Sequence, residues 1–103
     1  MRVAALYDIH GNLPALEAVL AEVREAGVEL VIVGGDVIPG PMPTACLALL
    51  RNCGVPIRCL RGNGDREVAT KREGRPSSTV PERFRPVMAW VASAISDEDA
   101  RWI

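Results

Sequence analysis

Three short apolar runs, Val3–Tyr7, Leu30–Val33 and Ile57–Leu60, are separated by two stretches with helical spacing, and this order constrains the fold more than any other feature of the chain. Each run is long enough for a strand and too short for a helix. Leu30–Val33 shows no polar alternation, the pattern of a parallel strand buried on both faces. Leu16, Val19, Leu20 and Val23 fall at i, i+3, i+4 and i+7 and make one helical face. Pro14 suits the first turn of that helix, where its missing N–H is harmless. Gly27 stands where a left-handed cap belongs. Cys46, Leu47, Leu49, Leu50 and Cys53 make a second helix, with Gly54 just past its end. The order β-α-β-α-β with short connections predicts an α/β fold, a parallel sheet with flanking helices and right-handed crossovers.

Beyond Asp65 the pattern weakens. Residues 65–72 read as a short helix and Glu73–Pro81 as a polar loop. Phe84, Val87, Met88, Val91 and Ile95 share one helical face, and Pro86 sets the start of that helix. Ser96 and Asp99 open another capped helix. It stops at Trp102-Ile103, two apolar residues with nothing after them to pack against, which predicts a truncated chain. A length of 103 residues limits the chain to one domain, since domains run to about 100–200 residues. Within 1–103, residues 1–67 form the motif-bearing core and 68–103 a helical and loop segment.

Hydrophobic residues make up 49% of the chain, enough for a core, and with only Tyr7, Phe84, Trp90 and Trp102 aromatic that core is aliphatic. A formal charge of −1 excludes a strongly basic nucleic-acid binder. The charge is uneven: residues 1–57 carry three basic and six acidic side chains, residues 58–85 eight and four. A local positive field beside residue 62 would suit a phosphate-bearing substrate, although a charge run is more often a solvated face. Cys46, Cys53 and Cys59 form no CxxC pair and read as small buried hydrophobes. Asp8 and His10 interrupt the first apolar run, so no secretory segment follows Met1-Arg2. No stretch approaches the roughly 18 apolar residues of a membrane span. A cytoplasmic location is the expectation.

The chemistry-bearing residues follow the strands, where open parallel sheets keep their ligands. They are Asp8-Ile9-His10-Gly11-Asn12, Gly34-Gly35-Asp36 and Gly62-Asn63-Gly64-Asp65. Asp8 and His10 are two apart, so in an extended segment both project to one side and could face one metal. Gly34 and Gly35 would let the backbone turn sharply and leave Asp36 projecting into the crevice. Asn63 offers an amide oxygen. Oxygen ligands with an imidazole suit Mn²⁺, Fe or Zn²⁺. A two-metal site needs a bridging ligand between ions about 3.5–4 Å apart, which a central carboxylate such as Asp36 could supply. A hydroxide shared by the ions would then attack phosphorus in line. Any one of these segments alone is an ordinary turn, since Asp and Asn beside Gly are common turn residues.

As a set, the three segments resemble the calcineurin-like metallophosphoesterase family, whose signature is D-x-H, then G-D, then G-N-H followed by an acidic residue. The match spans roughly residues 1–67. The resemblance implies the first half of a four-layer α/β/β/α sandwich and a metal-dependent phosphomonoesterase or phosphodiesterase. It implies two divalent ions, with manganese expected and iron, zinc or nickel as alternatives. Asp8 and His10 would bind the first ion, Asp36 would bridge, and Asn63 would bind the second. Asn12 would fix the loop, and Asp65 would orient its neighbours rather than touch a metal.

Two departures qualify it. Gly64 stands where many members carry a histidine that contacts the substrate phosphate and protonates the leaving group. No histidine follows His10, whereas the family adds a G-H-x-H segment and a second sheet from its later half. The chain is therefore expected to be weakly active or inactive alone, with an exposed apolar sheet face that a second copy could cover. The alternative is a non-catalytic scaffold of the same fold. Dinucleotide binding is disfavoured, because Gly62-Asn63-Gly64-Asp65-Arg66-Glu67 has glutamate where a third glycine belongs, and no GxxxxGK[ST] run occurs.

Overall fold

The computed structural model describes residues 1–75 and 80–103; part of the loop expected over Glu73–Pro81 lies outside these residues. Strands β1 (Val3–Leu6), β2 (Leu30–Val33) and β3 (Ile57–Cys59) form one parallel sheet in the order β1-β2-β3. Val3 pairs with Leu30, and Val31 with Ile57. The crossovers are α1 (Leu13–Glu25) and α2 (Pro43–Arg51). After β3 come α3 (Asn63–Arg72), a 3₁₀ turn at Glu82–Phe84, α4 (Arg85–Ala94) and α5 (Asp97–Trp102). This is the expected α/β architecture, a parallel β-α-β-α-β sheet with flanking helices.

The strand order never reverses, so right-handed crossovers put α1 and α2 on the same face. Val31 and Val33 point into that layer and are fully buried, with Ala4, Leu6, Ile57 and Cys59 packed around them. The alternate residues tell a different story. Val3, Ala5 and Arg58 are exposed and Leu30 and Ile32 only half-buried. The expected burial of β2 on both faces is thus corrected, because among the described residues no helix covers the second face.

The helices follow their local signals with small shifts. Leu16, Leu20 and Val23 are buried, but Val19 lies at the edge of its stripe and stays exposed. Gly27, with φ +65°, takes the left-handed position just past the α1 cap. Cys46, Leu47 and Leu50 face the core from α2, and Cys53 is buried just beyond it. α3 starts at Asn63, two residues before the expected start.

Charged side chains tie the last helices down. Ser96 caps α5 by accepting from the Asp99 N–H at 3.0 Å, and Asp99 returns the bond to the Ser96 N–H at 3.3 Å. Asp99 also accepts from Arg51 of α2 at 2.9 Å. Arg72 of α3 donates to the carbonyls of Ala92 and Ile95 at 2.8 and 2.9 Å and pairs with Asp97. Trp102 and Ile103 pack against the core, and the Ile103 carbonyl accepts from Arg61 at 3.3 Å. The surface they pack on is thus formed by elements that precede them in the chain.

Candidate metal centre

The loops after β1 and β2 stay paired beyond the strands. The Asp8 N–H donates to the Gly35 carbonyl at 3.2 Å, His10 to Asp36 at 3.0 Å and Gly11 to Val37 at 2.8 Å. This extension brings Asp8, His10 and Asp36 together, with one ligand atom of each within 4.8 Å of the others. Asp8 Oδ1 and His10 Nε2 are 4.0 Å apart.

His10 is oriented from behind. Its Nδ1 lies 3.1 Å from the carbonyl of Pro39, which can only accept. Nδ1 is therefore the donating nitrogen and Nε2 is the one turned toward Asp8, the ring orientation that metal-ligating histidines favour. Pro39 opens the segment Pro39-Gly40-Pro41-Met42-Pro43, and nothing local in that sequence shows that its carbonyl reaches back 29 residues.

The backbone under all three residues is unusual. Asp8, His10 and Asp36 have φ of 53°, 46° and 57°, and no other non-glycine residue among those described has a positive φ. Each such residue costs on the order of 1 kcal/mol or more and persists only where its surroundings over-determine it. Those surroundings are visible. Asp36 Oδ1 accepts from the Gly64 N–H at 2.7 Å, which sets its carboxylate at the positive end of α3. Asp65 is 1% exposed and accepts from the N–H groups of Asp36 at 2.8 Å, Gly62 at 2.9 Å and Ile38 at 3.2 Å.

Close backbone crossings leave no room for side chains here. Gly35 has φ +112°, and a Cβ on it would stand 2.8 Å from Gly62 Cα. At Gly64 a Cβ would stand 2.3 Å from the Ile38 carbonyl oxygen. A histidine at position 64 would therefore require the Ile38–Pro39 backbone to move.

Asn63 is exposed on the first turn of α3 and lines a cavity of about 450 Å³ together with His10. Asn12 caps α1, its Oδ1 accepting from the Ala15 N–H at 3.2 Å. Of the basic stretch, Arg72 and Arg75 are engaged by Asp97 and Glu73, whereas Arg66 lines the cavity. The three cysteines are free. Burial pushes the Cys59 thiol up, with Asp65 adding to the effect, and burial does the same to Cys46. Among the described residues no helix is long and apolar enough to cross a membrane.

The sequence pattern of calcineurin-like phosphoesterases matches residues 1–99. An uncharacterized protein of Methanocaldococcus jannaschii is 26% identical over 103 residues, covering 98% of this chain and 40% of that protein. The chain thus spans about 40% of the length of that curated relative.

Proposed function

Since the chain belongs to the calcineurin-like phosphoesterase family, we propose that it supplies one part of a metal-dependent centre that hydrolyses phosphomonoesters or phosphodiesters. Asp8 and His10 hold one divalent ion, Asp36 is shared, and Asn63 serves a second. Manganese is the expected metal, with iron, zinc or nickel as alternatives. The observation carrying this reading is the convergence of Asp8, His10 and Asp36 within 4.8 Å on strained backbone. Two carboxylates and an imidazole are a donor set that fits such ions.

Bound divalent ions would supply Lewis acidity, offsetting negative charge on the phosphoryl oxygens. The protein's own residues set the geometry. The Pro39 carbonyl accepts from His10 Nδ1 and so orients the ring, Gly64 aims the Asp36 carboxylate, and Asp65 anchors the segment from Asp36 to Ile38 against α3. Asn12 fixes the turn that follows His10. With glycine at position 64, the leaving group takes its proton from solvent or another residue, or departs as an anion. Asp36 and Asn63 are too few for a tight second site, so that ion needs further ligands from a longer polypeptide or a second copy.

A non-catalytic scaffold is the second reading. The open sheet face favours it, where Val3, Tyr7 and Leu60 are 47%, 62% and 63% exposed and a partner or second copy could bind. Elemental analysis after stripping and Mn²⁺ reconstitution separates the two. About two tightly held ions per chain, the complement of a dinuclear centre whose missing ligands a second copy supplies, support the phosphoesterase. One weakly held ion or none means a fragment of the centre or the scaffold. Free thiols are compatible with the cytoplasmic location that belongs to the same proposal.

A further inference from the structure

The apolar stripe of α4 divides in two. Val91 and Ile95 are buried in the core, but Phe84 and Val87 keep 48% and 45% of their surface and Met88 is half-buried. These three line the cavity beside the metal centre, joined by Pro39 and Val80. Its volume, about 450 Å³, is that of a small-molecule site. Its polar lining includes His10, Asn63 and Glu67, and Arg66 adds a cation suited to phosphate. One concave surface therefore runs from a metal-facing histidine to an apolar wall.

Given a phosphoesterase centre at His10, we infer that this cavity receives the leaving group, and that the substrate is a phosphate ester of an aryl or similarly flat apolar alcohol. The wall would gain nothing from a sugar or another hydroxylated group, whose hydrogen bonds it cannot replace. Gly64 points the same way. In hydrolysis the oxygen of water bonds to phosphorus, the bond from phosphorus to the ester oxygen breaks, and its electron pair leaves with that oxygen. Aryl oxygens, with conjugate acids near the tyrosine value of about 10, leave as anions. Alkyl oxygens must be protonated as they leave, and position 64 offers no side chain for that. The water's proton goes to solvent.

The test is calorimetric binding of methylphosphonate, phenylphosphonate and 1-naphthylphosphonate to the Mn²⁺-loaded protein. Affinity should rise with ring size, by about tenfold from methyl to phenyl if the ring is half-buried. Phe84→Ser with Val87→Ser should remove most of that preference while leaving Mn²⁺ and methylphosphonate binding unchanged. Both side chains are about half exposed, so the fold should tolerate the exchange. Equal affinities for the three phosphonates would overturn the leaving-group site and leave the metal centre standing. Loaded Mn²⁺ with no phosphonate bound would overturn the leaving-group site and the phosphoesterase together.

Discussion

In the helical layer the chain ends its elements by ordinary means. Asn12 caps α1, Gly27 closes it, and Ser96 with Asp99 boxes the start of α5. In the loops after the strands the same chain departs from local preference. Asp8, His10 and Asp36 adopt positive φ, and glycines 35, 62 and 64 cross other backbone too closely for any Cβ. The difference lies in what holds each region. The helices are held by burial of Leu20, Leu47 and Leu50, whereas the loops are held by backbone pairing of the first with the second and by polar contacts of the second and third that converge on Asp65. Strain of this kind accumulates where ligand atoms must meet.

Removing the convergence should do the most damage. Asp65→Ala leaves three backbone N–H groups without their acceptor, and unfolding free energy should fall by on the order of 4–6 kcal/mol. Urea denaturation measures it, and a loss below about 1 kcal/mol would mean that other contacts hold the loops. Leu50→Ala probes the other region. Leu50 is fully buried, so about 3 kcal/mol should be lost. Mn²⁺ affinity of the folded variant should not change; if it drops, the two regions are not separable.

Asp36→Asn acts on charge alone, because its Oδ1 can still accept from Gly64. Mn²⁺ affinity should fall at least about tenfold, or 1.4 kcal/mol, with little change in Tm. Equal binding by parent and variant would remove Asp36 from the ligand set. The smallest effect concerns Asp97, whose carboxyl is held below its ordinary value by the Arg72 hydrogen bond and then by the Arg72 charge. A lowered folded value means the contribution is complete at neutral pH. It fades as pH falls from the ordinary carboxylate range through the lowered value. The Tm gap between parent and Asp97→Asn should narrow over that acid range; a gap that widens there would reverse the sign.

Much of this was legible because it is local. Strand length, helical spacing, Gly27 and the Ser96–Asp99 pair each act within a few residues, so order and caps could be read directly. Three features were not. Leu30–Val33 is apolar on both sides, and only the strand order decides which side is covered. Phe84 and Val87 match Val91 in spacing, yet they line a cavity while Val91 is fully buried. The contact from Pro39 to His10 and the bond from Asp65 to the Asp36 N–H each span 29 residues, and no periodicity reports such pairs. The positions of Asp8, His10 and Asp36 after their strands were readable; their backbone conformations were not.

The three amides sharing the Asp65 carboxylate lie on two loops and belong to residues 36, 38 and 62. None can exchange its hydrogen with solvent while α3 remains seated, so the three should exchange as one set, through one opening. An ion held on Asp36 binds the seated form and raises the cost of that opening by RT ln(1 + [L]/Kd). Occupancy of the centre is then readable at the Ile38 and Gly62 amides, which belong to no proposed ligand, as a common slowing of their exchange.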